Sequence, residues 1–104
     1  INFNKSVIDI VNQIRGLSPV PGGYALLDGN IVKIYEAHIS DSFFTTKENG
    51  EIGKIYKDGI GVSCKDGEII ITDIQFAGKK RMKVKDYLNG TDGNILLGKI
   101  FNKE

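Results

Sequence analysis

The stretch Ile52-Gly53-Lys54-Ile55-Tyr56-Lys57-Asp58-Gly59-Ile60-Gly61-Val62-Ser63-Cys64-Lys65-Asp66-Gly67-Glu68-Ile69-Ile70-Ile71-Thr72-Asp73-Ile74-Gln75-Phe76 decides the fold. Asp58-Gly59 and Asp66-Gly67 cut it into three short apolar runs, 52–56, 60–64 and 68–76. An Asp-Gly pair between β-branched runs marks a tight hairpin, because both residues tolerate the left-handed backbone that such turns require. Upstream, Asp28-Gly29-Asn30 separates a run over 24–27 from one over 31–39 in the same manner. Residues 40–50, polar around Phe43 and Phe44, form the one longer connection. Downstream, residues 86–90 can make one helical turn and residues 95–101 a last strand. No helix-length segment alternates with the strands, so an antiparallel barrel is expected and a parallel βαβ sheet is not.

One helix precedes the strands. Ser6 stands before Val7 and Ile8 with Asp9 three residues on, an N-cap followed by an acidic first turn. Val7, Val11 and Ile14 recur at helical spacing, Ile8 and Ile10 widen the stripe, and Gly16 stands where a left-handed C-cap would. The spacing predicts a helix over 6–15. The following Pro19-Val20-Pro21-Gly22-Gly23 cannot continue it, since each proline holds the residue before it extended. The predicted fold is therefore mainly β, an open antiparallel β-barrel preceded by one N-terminal α-helix.

With 104 residues and a hydrophobic fraction of 40%, the chain fits one domain. Burying roughly 65% of its unfolded surface, it can fold alone but has little area for an enclosed active site. No apolar run approaches the ~18 residues of a membrane span, and no secretory signal opens the chain. Cys64 is the only cysteine and His38 the only histidine, which leaves neither a disulfide framework nor a Cys or His cluster for a metal. Cys64 alternates with Ile60 and Val62 and is read as a small core residue. His38 has no acid or nucleophile at a telling spacing and is read as structural or surface-exposed. Asp28, Asp58, Asp66 and Asp92 begin turns, which explains them without catalysis. Gly59 and Gly61 lack the strand-to-helix context of a phosphate loop. Asn4-Lys5-Ser6 and Asn89-Gly90-Thr91 match a glycosylation pattern by chance.

The net charge of +1 conceals a polarised chain. Residues 1–78 hold seven Lys/Arg against ten Asp/Glu, a balance of −3, whereas residues 79–104 hold seven against three, a balance of +4. Lys79, Lys80, Arg81, Lys83 and Lys85 put five cations into seven residues. On a strand, Met82 and Val84 would face the barrel while Arg81, Lys83 and Lys85 form one outward stripe suited to a phosphate backbone. The competing reading is an edge strand whose lysines prevent sheet-to-sheet aggregation. Tyr24, Tyr35, Tyr56, Phe76 and Tyr87 could stack on bases, although core positions are the more usual place for aromatics in a small barrel.

The segments Ile14-Arg15-Gly16-Leu17-Ser18-Pro19-Val20-Pro21-Gly22, Lys33-Ile34, Gly50-Glu51-Ile52, Gly59-Ile60-Gly61-Val62 with Asp66-Gly67, and Ile74-Gln75-Phe76-Ala77-Gly78-Lys79-Lys80-Arg81-Met82 with Asp86-Tyr87-Leu88-Asn89-Gly90 occur in an order that resembles the C-terminal domain of the methionyl-tRNA formyltransferases. The resemblance covers nearly the whole chain. Departures are Ile74 for the usual Leu, Gly23 where Ala is common, and Asn49 where Pro often precedes the glycine; none falls on a cation. The resemblance implies a barrel similar to an oligonucleotide-binding fold, spanning residues 1–104 and appended to an upstream catalytic domain that is absent here. The Ile1 start and the single methionine, Met82, fit that expectation. It further implies a cytoplasmic enzyme that transfers a formyl group from 10-formyltetrahydrofolate to initiator methionyl-tRNA. This domain, with no catalytic, cofactor-binding or metal-binding residue of its own, would position the tRNA. Lys79, Lys80, Arg81, Lys83 and Lys85 are the expected contacts to tRNA phosphates, with Arg15 and Lys33 as additions, although Arg15 also suits a helix C-terminus. Four or five such contacts imply a log–log salt slope of roughly −3 to −4. Two other readings stay open: a structural barrel of a formyltransferase acting on sugar nucleotides or other small molecules, and a free-standing single-strand binder.

Overall fold

A computed structural model describes residues 1–41 and 47–103. The element order is α1 (Val7–Leu17), β1 (Gly23–Leu27), β2 (Asn30–Ile39), β3 (Ile52–Ile55), β4 (Ile60–Cys64), β5 (Gly67–Gln75), β6 (Met82–Lys83), α2 (Val84–Gly90) and a 3₁₀ turn, Gly93–Leu96. The strands form one antiparallel sheet in the order β1-β2-β5-β4-β3, with β6 also on β5. The expected open barrel is present. Each Asp-Gly pair stands where one strand turns into its antiparallel partner. Asp28 and Gly29 take the left-handed backbone, with φ of 52° and 79°, whereas Asp58-Gly59 and Asp66-Gly67 do not, and Gly67 is already the first residue of β5. The connection expected over 40–50 falls partly on residues 42–46, including Phe43 and Phe44, which lie outside the described residues.

β5 is the spine. Its one edge pairs with β2, while its other edge pairs with β4 over Gly67–Ile71 and with β6 at Asp73 and Ile74. Covered on both faces, β4 and β5 are buried almost throughout, and their Ile60, Val62, Ile69, Ile71 and Ile74 pack with Ile10 and Ile14 of α1 in one core. Cys64 is in that core at 1% exposure. β-branched residues suit this place, since they lose little freedom in a strand and fill a pleated surface.

α1 lies mainly across β2 and is tied down at both ends. Ser6 accepts from the Asp9 N–H at 3.3 Å, and Asp66, from the β4–β5 turn, accepts from the Val7 N–H at 2.8 Å. The helix does not end at Gly16. It runs to Leu17 because the Ser18 N–H still reaches the Ile14 carbonyl at 3.1 Å, and the Ser18 hydroxyl donates to the Tyr35 carbonyl at 2.7 Å. The left-handed residue of this corner is Gly22, at φ 85°.

The C-terminal segment departs most from expectation. Instead of a strand over 95–101, Asp92 caps the 3₁₀ turn by accepting from the Asn94 N–H at 3.0 Å, and Gly98 then turns the chain at φ 83°. A left-handed residue breaks a strand, so only one isolated bridge forms, Glu51 with Ile100. Residues 98–102 nevertheless lie between the two sheet edges. Gly98 and Phe101 donate to the carbonyls of Ile52 and Gly50 at 2.9 and 2.8 Å, and Asn102 donates to Leu26 of β1 at 2.7 Å. Phe101, 3% exposed, stacks on Phe3 at 5.4 Å and plugs that end of the core. Phe101→Ala should therefore lower the unfolding free energy by about 3–5 kcal/mol, read from urea titration; a loss below about 1 kcal/mol would show that the tail does not close the core.

Candidate nucleic-acid interface

The basic run does not form the expected stripe. β6 contains only Met82 and Lys83, and α2 begins at Val84, so Arg81, Lys83 and Lys85 are not three alternate positions of one strand. Val84 is fully buried and starts the helix, which leaves Lys85 exposed on its first turn. Before β6 the chain turns at Gly78, φ 75°, a conformation that favours glycine. The Lys79 N–H donates to the Phe76 carbonyl, and Gln75 Nε2 donates to the Lys79 carbonyl, each at 3.0 Å. This fixes the backbone of an exposed loop from which Lys79 and Lys80 project.

Arg81 and Lys83 are held by acids. Arg81 donates from Nε to Asp73 Oδ1 at 3.1 Å and from its terminal nitrogen to Oδ2 at 2.9 Å, while its guanidinium lies 4.2 Å above the Tyr35 ring. Lys83 Nζ is 3.5 Å from Asp73 Oδ2 and 3.6 Å from Glu36 Oε1. A bulge makes this possible. The β2–β5 register shifts on either side of Glu36, so Tyr35 and Glu36 both escape the core face between buried Ile34 and Ala37. Asp73 is only 4% exposed, and a carboxylate there requires a cation. Its position inside the apolar run 69–74 is the sequence signal that could have exposed this partnership.

The remaining predicted cations, Lys79, Lys80, Lys85, Lys33 and Arg15, make no ion pair among the described residues. Lys33 and the loop come together: Lys33 of β2, opposite Gln75, lines a shallow hollow with Ile31, Phe76 and Gly78. Arg15 sits elsewhere, in a hollow with Tyr35, Glu36 and His38. His38 is exposed on β2. The aromatics expected in the core are instead at its margin. Tyr24 is 54% exposed, whereas Tyr35 and Tyr56 are half-buried with their hydroxyls donating to Gln75 Oε1 and Glu68 Oε1 at 3.0 and 2.6 Å. Phenols reach outward for polar partners, so among the described residues Phe3 and Phe101 supply the enclosed rings. Phe76 and Tyr87 pack together at 4.7 Å beside the loop. Among the described residues no group of His, Cys, Asp and Glu could hold a metal, and no helix is long and apolar enough to cross a membrane.

Two titrations test this geometry. Burial pushes the Asp73 carboxyl up, but the hydrogen bonds and charge of Arg81, joined by Lys83, outweigh it and hold the group below its ordinary 3.8. A depressed folded-state pKa stabilises the protein above the unfolded value and loses that effect as pH falls through the folded one. Stability should decline between about pH 5 and pH 2 more steeply in the native protein than in Asp73→Asn, in which this group cannot titrate; equal slopes in urea unfolding would contradict the ion-pair assignment. Burial likewise pushes the Cys64 thiol up to about 12. Alkylation of Cys64 by iodoacetamide should then proceed only through unfolded molecules, and rapid native-state labelling would refute its core placement.

Comparison with known proteins places the chain. A family model described as "Formyl transferase, C-terminal domain" matches residues 1–92. Methionyl-tRNA formyltransferase of Finegoldia magna is 43% identical over 90 residues, covering 86% of this chain and 29% of that protein. The enzyme of the same name from Clostridium novyi is 39% identical over 95 residues, 91% of this chain and 30% of the relative, and that from Streptococcus agalactiae is 38% identical over 103 residues, 99% and 32%. The chain thus spans about a third of the length of these relatives. With the family match over most of its length and the barrel to go with it, the chain belongs to the formyl transferase C-terminal domain family.

Proposed function

We propose that this domain binds tRNA as the C-terminal part of a cytoplasmic methionyl-tRNA formyltransferase. In this reading a catalytic domain upstream of residues 1–104 takes 10-formyltetrahydrofolate as formyl donor, and the barrel positions initiator methionyl-tRNA for the transfer. No residue of this chain is assigned a part in the chemistry. The observation that carries the reading is the division of the basic run: Asp73 and Glu36 hold Arg81 and Lys83, while Lys79 and Lys80 project from a fixed loop beside Lys33 with no acid paired to them among the described residues. Lys85 is exposed on the first turn of α2. Cations of this kind contact phosphates and position a nucleic acid without reading its sequence. Arg15, away from the loop, is the outlying member of the set.

The ion pairs of Arg81 and Lys83 also suit the second reading, a purely supporting barrel of a small-molecule formyltransferase. Salt dependence separates the two. With Lys79, Lys80, Lys85, Lys33 and Arg15 on phosphates, log Kd for initiator tRNA against log salt should have a slope of roughly 3.5 to 4.5 in magnitude. Filter binding with Lys79→Glu/Lys80→Glu should weaken the complex and flatten that slope by about 1.5. An unchanged slope in the double variant, or no saturable binding by the native protein at low salt, would overturn the proposal.

A further inference from the structure

The basic loop borders an apolar hollow that phosphate contacts leave unexplained. Loop 76–82 and α2 enclose about 340 Å³, with Phe76, Ala77, Met82 and Tyr87 among the lining residues and Lys79 and Lys80 contributing to its wall. The Phe76 and Tyr87 rings, tilted 34° to one another, are each half-buried against the core, so their backs are anchored while the hollow remains open. Phe76 and Ala77 also form part of the neighbouring hollow that holds Lys33. The aromatic surface therefore has Lys33 on one side and Lys79 and Lys80 on the other. Asp86, the only acid lining the larger hollow, offers an acceptor to an exocyclic amine.

An apolar aromatic floor with cations beside it matches an anionic, aromatic ligand. A duplex backbone would satisfy the lysines but leave the floor wet, because its bases are already stacked on one another. An unpaired nucleotide satisfies both, its base lying on the rings and its phosphates on the ammonium groups. The volume is of the size that a small ligand occupies. We infer that the Phe76–Tyr87 hollow receives one unpaired nucleotide of the bound RNA, with the base against Phe76, Met82 and Tyr87 and its flanking phosphates on Lys79 and Lys80. The inference rests on the tRNA-binding reading and adds to it a position at which a base leaves its stack.

Two RNA hairpins test it, identical in their stem, one blunt and one carrying a single-stranded overhang that contains 2-aminopurine. The overhang hairpin should bind roughly fivefold or more tightly than the blunt one, with quenching of the 2-aminopurine. Tyr87→Leu, which keeps apolar volume beneath the hollow, should abolish both the preference and the quenching. Ring-proton NMR of Phe76 and Tyr87 in the native protein needs no variant: the overhang should shift these signals and the blunt stem should not. Equal affinities with unmoved ring signals, while tRNA still binds with its salt slope, would overturn this inference alone. Absence of binding by tRNA and by both hairpins would remove the tRNA-binding reading with it.

Discussion

A carboxylate in the middle of a buried strand constrains much of this domain. Asp73 lies on β5, which is paired along both edges, and it is nearly enclosed. An unpaired charge there would oppose folding by several kcal/mol, so the neighbouring elements must bring cations to it. Arg81 meets the requirement with a two-pronged hydrogen bond, and Lys83 assists from β6. The bulge in β2 supplies Tyr35 as the surface on which the guanidinium lies and Glu36 as a second acid for Lys83. Three strands thus converge on one ionic cluster.

This constraint divides the most basic segment by role. Arg81 and Lys83 neutralise charge belonging to the fold, whereas Lys79, Lys80 and Lys85 add charge that nothing in the described structure cancels. Arginine suits the pairing with Asp73, because its planar fork matches a carboxylate with two hydrogen bonds, whereas Lys79, Lys80 and Lys85 carry compact, hydrated charges on flexible stems. The loop bearing Lys79 and Lys80 is short and fixed by one backbone hydrogen bond and one from the Gln75 side chain, and its ends are set by β5 and β6.

Much of the fold could be read from the chain. The hairpin positions of the three Asp-Gly pairs, the Ser6 cap and the apolar spacing of α1 are local signals, and each is present in the structure, although only Asp28-Gly29 takes the left-handed backbone. The misreadings share a different cause. Gly16 failed as a cap because contacts with β2 extended α1 through Ser18 and Tyr35. Residues 95–101 have strand composition, but Gly98 and the Asp92 cap gave them another path between two sheet edges far away in sequence. The expected cationic stripe assumed a strand through residues 81–85, whereas α2 begins at Val84, which is drawn into the core.

The sequence by itself determined the strand-and-turn grammar, the N-terminal helix, the family and the location of the positive charge, because composition and short-range geometry are properties of neighbouring residues. Only the tertiary structure decided which cations are paired. Arg81 and Lys80 are adjacent and alike in charge, yet Arg81 is paired with a buried acid of β5 and Lys80 has no acid partner among the described residues. That difference comes from strand pairing: the β5–β6 register sets Asp73 opposite Lys83, and the β2 bulge turns Tyr35 and Glu36 toward them. The Phe76–Tyr87 surface likewise exists only once α2 folds back beside β5, since electrostatics and packing act between residues that the chain has brought together.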